Sequence, residues 1–304
     1  MGSSGAVVAE GLAKRYSSGV WGARSVSFAV GYGELVVLLG PNGSGKTTTI
    51  SILATLIKPT SGRGLVGGYD VVREAERVRE IVAVMPQDGR PDPNWTPYEA
   101  VKWYLVARGF SLSAASGEAR VWLEELGLWS VRNTPLWELS RGQMKRTLAA
   151  MVLASGAPVL FLDEPTSDVD VEGKYETWGA LRRAVGSGRA VLYTTHDMRE
   201  AERIADRVVM ISSGVTVAEG SPRELVESLP FRFRVVVRDG GSAAPPAGAS
   251  YTLRLGGSTI AYYESRSEAL VAVGELEGSE ASIEPVGLED AYLYHVRIRG
   301  EQRG

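Results

Sequence analysis

Short, mostly apolar segments predict strands at positions 34–39, 81–85, 159–162, 190–194 and 207–211, each four to six residues long. That is the length of a strand buried on both faces. Between and around them, apolar residues recur at helical spacing over 46–57, 97–108, 119–126, 141–154, 173–185 and 198–205. Strands alternating with helices predict an α/β domain built on a mostly parallel central sheet. Thr96, Pro97, Tyr98 and Glu99 form a helix start: a capping hydroxyl, a proline in the first turn, and a carboxylate reaching back to the cap.

The pattern changes near residue 229. A charged helical stretch gives way to Phe231, Arg232, Phe233, Arg234 and Val235, which alternate as a strand does. Residues 239–250 are rich in Gly, Pro and Ala, as a loop would be. Strands are predicted near 231–237, 251–255 and 259–263, then a helix near 267–276, a further strand and a short helix. We therefore expect a first domain over 1–228 and a small α+β domain over 229–304.

A length of 304 residues accommodates this division. With 44% apolar and 23% charged residues, the composition is that of an ordinary globular protein. The net charge of −3, with arginines interspersed among acids, argues against nucleic acid as the main partner. The absence of cysteine excludes disulfides and thiolate metal sites. No run approaches the roughly 18 apolar residues that a membrane span needs. The start lacks the basic and apolar segments of a signal peptide, and Ala6 stands where a myristoylation site wants Ser or Thr.

The chemistry gathers at strand ends. Gly40, Pro41, Asn42, Gly43, Ser44, Gly45, Lys46 and Thr47 match G-x-x-x-x-G-K-[ST], after a predicted strand and at the opening of a predicted helix that continues through Thr48. In such a loop the glycines let successive N–H groups face phosphate oxygens, and the helix adds the positive end of its dipole. Lys46 would reach the β- and γ-phosphates, and the Thr47 hydroxyl would ligate Mg²⁺. Asp163 and Glu164 end the apolar run at 159–162, on the side where ligands bind open α/β sheets. Asp163 is placed to hold Mg²⁺ through water, and Glu164 to polarise the attacking water as general base.

With these two motifs in place, residues 7–228 resemble the ATP-binding cassettes. Leu139, Ser140, Arg141, Gly142 and Gln143 resemble that family's LSGGQ segment, with Arg141 in place of its first glycine. The resemblance implies a mostly parallel sheet, an antiparallel β subdomain and a helical subdomain. It also implies a head-to-tail dimer in which Ser140, Gly142 and Gln143 face the γ-phosphate of ATP held by the other protomer. Ser140 with Gln143 reads equally well as a plain helix cap. Gln87 resembles the glutamine that contacts Mg²⁺ and couples the site to a partner. His196 resembles the histidine that contacts the γ-phosphate, and Asp170 closes a segment resembling the loop that crosses between protomers. Tyr16 stands where the family stacks an aromatic ring on adenine; a packed core tyrosine is the alternative. His295 matches nothing in the family and is expected to be a surface or core residue.

Pro285, Val286, Gly287, Leu288, Glu289, Asp290, Ala291, Tyr292 and Leu293 resemble the ending of the daunorubicin-resistance, drug-exporter branch. The resemblance implies an ATPase subunit, with ATP and Mg²⁺ as cofactors, on the cytoplasmic face of the cell membrane. Its partners would be a second ATPase protomer and a separate membrane-spanning permease, with no nucleic acid. Trp95, Tyr98 and Trp103 lie where the family docks that permease, unless they are core residues. The C-terminal domain reads either as a stabilising, dimer-locking module or as a regulatory binding site. The alternative function is a soluble ATPase of DNA repair, translation or cofactor assembly. A single cassette with no coiled-coil insertion, zinc cysteines or basic arm weighs against it.

Overall fold

A computed structural model describes residues 5–238, 246–276 and 280–298. The chain divides into two compact units, Met1–Glu219 and Gly220–Gly304. The first carries, in chain order, β1 (Val7–Arg15), β2 (Trp21–Val30), β3 (Leu35–Leu39), α1 (Lys46–Leu53), β4 (Ser61–Val66), β5 (Tyr69–Asp70), α2 (Ala75–Ile81) and β6 (Val82–Met85). Then follow α3 (Pro97–Ala107), α4 (Leu112–Glu125), α5 (Arg141–Ala154), β7 (Val159–Asp163), α6 (Val171–Gly186), β8 (Ala190–Thr195), α7 (Met198–Ile204), β9 (Arg207–Ser212) and β10 (Val215–Gly220).

The strands lie in the order β5-β4-β1-β2-β10-β9-β3-β8-β7-β6. From β9 to β6 every pair is parallel, whereas β2, β1, β4 and β5 pair antiparallel. Every residue of β3, β7 and β8 is buried, which is why their sequences read as unbroken apolar runs and not as alternation. Because β3, β8, β7 and β6 are parallel neighbours, the segments after their C-terminal ends all leave from one edge of the sheet. Gly40, His196, Glu164 and Gln87 begin or sit in those segments.

Two helices differ from their predicted extents. Helix α1 stops at Leu53, well short of residue 57. Thr55 adopts a left-handed conformation with φ 62°, its N–H donates to the Ile52 carbonyl, and the Leu56 N–H donates to the Ser51 carbonyl. These are the two bonds of a Schellman stop, with threonine where glycine is usual. Helix α4 begins earlier than predicted, at Leu112, because the Ser111 hydroxyl accepts from the Ala114 N–H. The predicted Thr96–Glu99 capping box is present at the start of α3.

The second unit holds α8 (Pro222–Glu227), β11 (Phe233–Arg238), β12 (Tyr251–Leu255), β13 (Ser258–Tyr263), α9 (Arg266–Gly274), β14 (Glu280–Pro285) and α10 (Leu288–Leu293). Its antiparallel sheet runs β12-β13-β11-β14, with α9 packed on one face. The division between units precedes α8, where the sequence pattern places it after that helix. Within the second unit α8 packs against α10, so it goes with the later residues. Of the predicted loop at 239–250, residues 239–245 lie outside the described residues. The predicted ending is the anchor of α10. Buried Asp290 accepts from the Gly287 N–H at 2.8 Å, the Tyr262 hydroxyl at 2.9 Å and Arg234 at 3.0 Å. His295 is half-buried just beyond it.

Candidate active site

Between β3 and α1 the chain makes a tight loop over Gly40–Gly45. Gly45 has φ 110°, and a Cβ there would lie 2.5 Å from the Gly22 carbonyl oxygen, so the loop can close against β2 only with glycine. Around Gly43 there is open space. The Ser44 hydroxyl is buried and finds no hydrogen-bond partner among the described residues, an orphaned polar atom inside a loop whose backbone suits an anion. A cleft of about 380 Å³ opens here, lined by Val20, Trp21, Gly22, Asn42, Gly43, Gly45, Lys46, Thr47, Thr48, Gln87 and Glu164. Its glycine cradle, buried amine and orphaned hydroxyl fit a nucleotide's phosphates.

Lys46 is the first residue of α1, and its amine folds over the loop, 2.8 Å from the Gly40 carbonyl and 3.2 Å from that of Pro41. It also lies 3.5 Å from Oε1 of Glu164, with the two side chains 5% and 9% exposed. Burial lowers the Lys46 pKa below the ordinary lysine value, and the charges of Glu164 and Asp163 offset only part of that.

Glu164 follows β7 in a left-handed conformation, φ 49°, which costs a non-glycine residue about 1–3 kcal/mol. Both sides of its main chain are held. Its N–H donates to the Thr194 hydroxyl at 3.0 Å, and its carbonyl accepts from the Ser167 hydroxyl at 2.9 Å. The carboxylate meets Nδ1 of His196 at 3.1 Å. Asp163, the last residue of β7, is buried and accepts from the Thr194 hydroxyl at 2.5 Å.

Thr47, Gln87 and Asp163 line one further small cleft, of about 240 Å³. Among the described residues no group of three His, Cys, Asp or Glu could hold a metal. The donors that do converge are a hydroxyl, an amide and one carboxylate. That oxygen set suits Mg²⁺, which keeps several waters and is usually held by one or two carboxylates together with substrate phosphates.

The remaining predicted residues stand elsewhere. Ser140, Gly142 and Gln143 open α5 outside the Lys46 cleft. Ser140 is exposed, and it forms a reciprocal capping box with Gln143 at 3.2 and 3.0 Å. Gly142 is there for space: a Cβ would lie 2.9 Å from the Asp168 carbonyl. Asp170 is exposed and caps α6, accepting from the Gly173 N–H at 2.7 Å. Tyr16 is exposed and stands against two residues of the Lys46 cleft: its ring lies beside Gly22, and its hydroxyl meets the Thr48 hydroxyl at 3.2 Å. A second exposed aromatic ring, Trp21, 40% exposed, lines the cleft itself. It starts β2, opposite Arg15 and after a register shift in the β1–β2 pairing. Local sequence carries no mark of that shift, so nothing in it distinguishes Trp21.

A second brace was also invisible in the sequence. Glu200 on α7 is buried and accepts from the Tyr193 hydroxyl at 2.7 Å, the Trp178 indole at 2.9 Å and the Thr166 hydroxyl. Burial, and then the Glu200 charge, push the Tyr193 phenol well above the tyrosine range. These bonds tie the segment after Glu164 to the helix after His196. Trp95 and Trp103 are exposed, while Tyr98 is half-buried and meets Trp129 edge-on.

Comparison with known proteins gives the same family throughout. A family model described as ABC transporter matches residues 23–167. A daunorubicin resistance ATP-binding protein from Streptomyces coeruleorubidus is 32% identical, covering 98% of this chain and 97% of its own. A Nod factor export ATP-binding protein I from Burkholderia lata is 35% identical over 91% of each chain. Among solved structures, the dimeric post-hydrolysis state of an ATP-binding cassette bound to ADP and Pi is similar at TM-score 0.66 and 25% identity, covering 71% of this chain and 98% of that one.

Proposed function

This chain belongs to the ABC transporter family, on the branch of export and drug-resistance ATP-binding proteins, and from that premise we propose that it powers export through a separate membrane-spanning subunit. It is an ATPase. Two protomers would pair head to tail, each holding ATP in the Lys46 cleft and presenting Ser140, Gly142 and Gln143 to the other's nucleotide. No described helix is long and apolar enough to cross a membrane; in this reading a separate permease carries the passage and this chain sits at the membrane's cytoplasmic face. The names of the relatives, all export or drug-resistance proteins among those cited, favour transport over repair or translation.

The observation that carries the reading is the meeting of Lys46, Glu164 and His196, from the ends of β3, β7 and β8, within hydrogen-bonding or ion-pair reach of one carboxylate. Lys46 and the loop N–H groups hold the phosphates and balance their charge. Glu164 takes a proton from water as the water's oxygen attacks the γ-phosphorus and ADP departs. His196 keeps the carboxylate aimed and reaches the γ-phosphate. Thr47, Asp163 and Gln87 would hold Mg²⁺, which neutralises charge building on the phosphate oxygens. Ser140 of the second protomer closes the far side, bringing the positive dipole end of α5 to the phosphate. Tyr16 would stack on the adenine, with its hydroxyl anchored on Thr48.

The experiment is steady-state hydrolysis of MgATP by the purified chain, with affinity capture from its native membranes. A multi-span membrane protein that copurifies, and whose reconstitution stimulates hydrolysis, is the expected result. Capture of ribosomes or nucleic acid instead would overturn transport.

A further inference from the structure

Lys145 takes no part in the site as the sequence defines it, yet its amine connects two of the site's segments. It lies on α5, which packs against β6 and β7. Nζ donates to the main-chain carbonyl of Gln87 at 2.5 Å and approaches that of Glu164 at 3.4 Å. Those partners are 58 and 19 residues away in the chain.

The surroundings would favour a different use of the charge. Asp88, Asp163, Glu164 and Asp168 all act on this amine electrostatically, while burial lowers its pKa. Among the described residues, however, Lys145 forms no ion pair within contact distance. Its donors go to main-chain oxygens, which hold position whatever the side chains do. Both acceptors need holding. Glu164 sits in its left-handed conformation, and strain of that kind persists only where neighbours over-determine it. The Gln87 side chain is in an exposed loop and lines the nucleotide cleft beside Glu164.

We propose that Lys145 is a positioning residue for hydrolysis, its amine bridging the main chains of Gln87 and Glu164 so that the amide and the base keep a constant separation across the cleft. This rests on Glu164 acting as the base. Lys145 touches neither the phosphate loop nor Lys46, so it sets turnover and not nucleotide affinity.

The test is steady-state hydrolysis and nucleotide binding by the full chain. Lys145→Met keeps the aliphatic stem and removes the donors. It should lower kcat about 10- to 100-fold, with KM and Kd for MgATP changed less than about threefold, the signature of lost transition-state positioning. Lys145→Arg, which restores charge and donors, should return kcat to within about fivefold of the parent. Combined with Gln87→Ala, the Met variant should lose less than the product of the two separate losses, because the two changes break one unit. Parent-like kcat in Lys145→Met, a loss that arginine does not restore, or multiplicative losses would each overturn the proposal. If the Met variant does not fold, Lys145→Gln, whose amide is too short to span both carbonyls, carries the same comparison. Failure of the underlying reading is seen separately, as normal turnover in Glu164→Gln.

Discussion

Nδ1 of His196 lies 3.1 Å from the Glu164 carboxylate, with the imidazole half-exposed and the carboxylate nearly buried. With Lys46 at 3.5 Å on the other carboxylate oxygen, Glu164 is held between an amine and an imidazole. The proposed base is thus held from two sides by this chain's own residues. That preorganisation lets removal of single groups be read as loss of a specific step.

Glu164→Gln preserves shape and the contact to His196 but cannot accept a proton. Turnover should fall at least about a hundredfold, the scale of general-base removal, while ATP binding survives. An ATP-loaded dimer should then accumulate, visible by size-exclusion chromatography. Near-normal hydrolysis would remove Glu164 from the role.

His196→Ala frees one side of the carboxylate and would take away the proposed γ-phosphate contact. We expect kcat to fall about 10²- to 10³-fold, as for other lost transition-state donors, with nucleotide Kd within about threefold. Isothermal titration beside steady-state kinetics separates these quantities.

Ser140→Arg fills the exposed turn at the head of α5 with a bulky cation. Hydrolysis should be abolished while monomer affinity for ATP stays nearly intact, because that turn lies outside the Lys46 cleft. Equal losses of affinity and turnover would refute a role in trans.

The lowered pKa of Lys46 gives two slopes of opposite sign. Burial sets the Lys46 pKa below the ordinary lysine value of 10.5, and phosphate oxygens held beside the amine would raise it again. Nucleotide affinity should therefore weaken as pH rises through the folded-state pKa, and Lys46→Arg should flatten that limb. Stability runs the other way. Between the folded pKa and 10.5, the unfolded chain binds more protons, so this group's contribution to unfolding free energy rises with pH. Titrations from pH 7 upward, referenced to Lys46→Met, check both signs.

In the second unit, Asp290 is 1% exposed and holds Arg234, Tyr262 and its own helix start. Asp290→Ala should lower the opening free energy of β11 and β13 by about 1–3 kcal/mol, since the Tyr262 hydroxyl loses its acceptor while Arg234 keeps Glu284. Tyr262→Phe should cost about 1–1.5 kcal/mol, one hydrogen bond. Hydrogen exchange across these strands measures both.

The chain's own order of residues determined the pieces: the buried strands β3, β7 and β8, the loop ending in Lys46, the Asp163–Glu164 pair, and the caps of α3 and α5. These depend on neighbours a few positions apart, where apolar period, glycine and a capping hydroxyl act directly. The end of α1 was less legible, because a threonine takes the left-handed place that glycine would have marked. Tertiary structure alone decided the rest. It set β8 between β3 and β7, which brings His196 to Glu164. It brought Trp21, at the start of β2, into the lining of the cleft, and it laid Lys145 across two carbonyls distant in sequence. Such contacts follow from how whole elements pack, and no local pattern encodes which oxygen a given amine will meet.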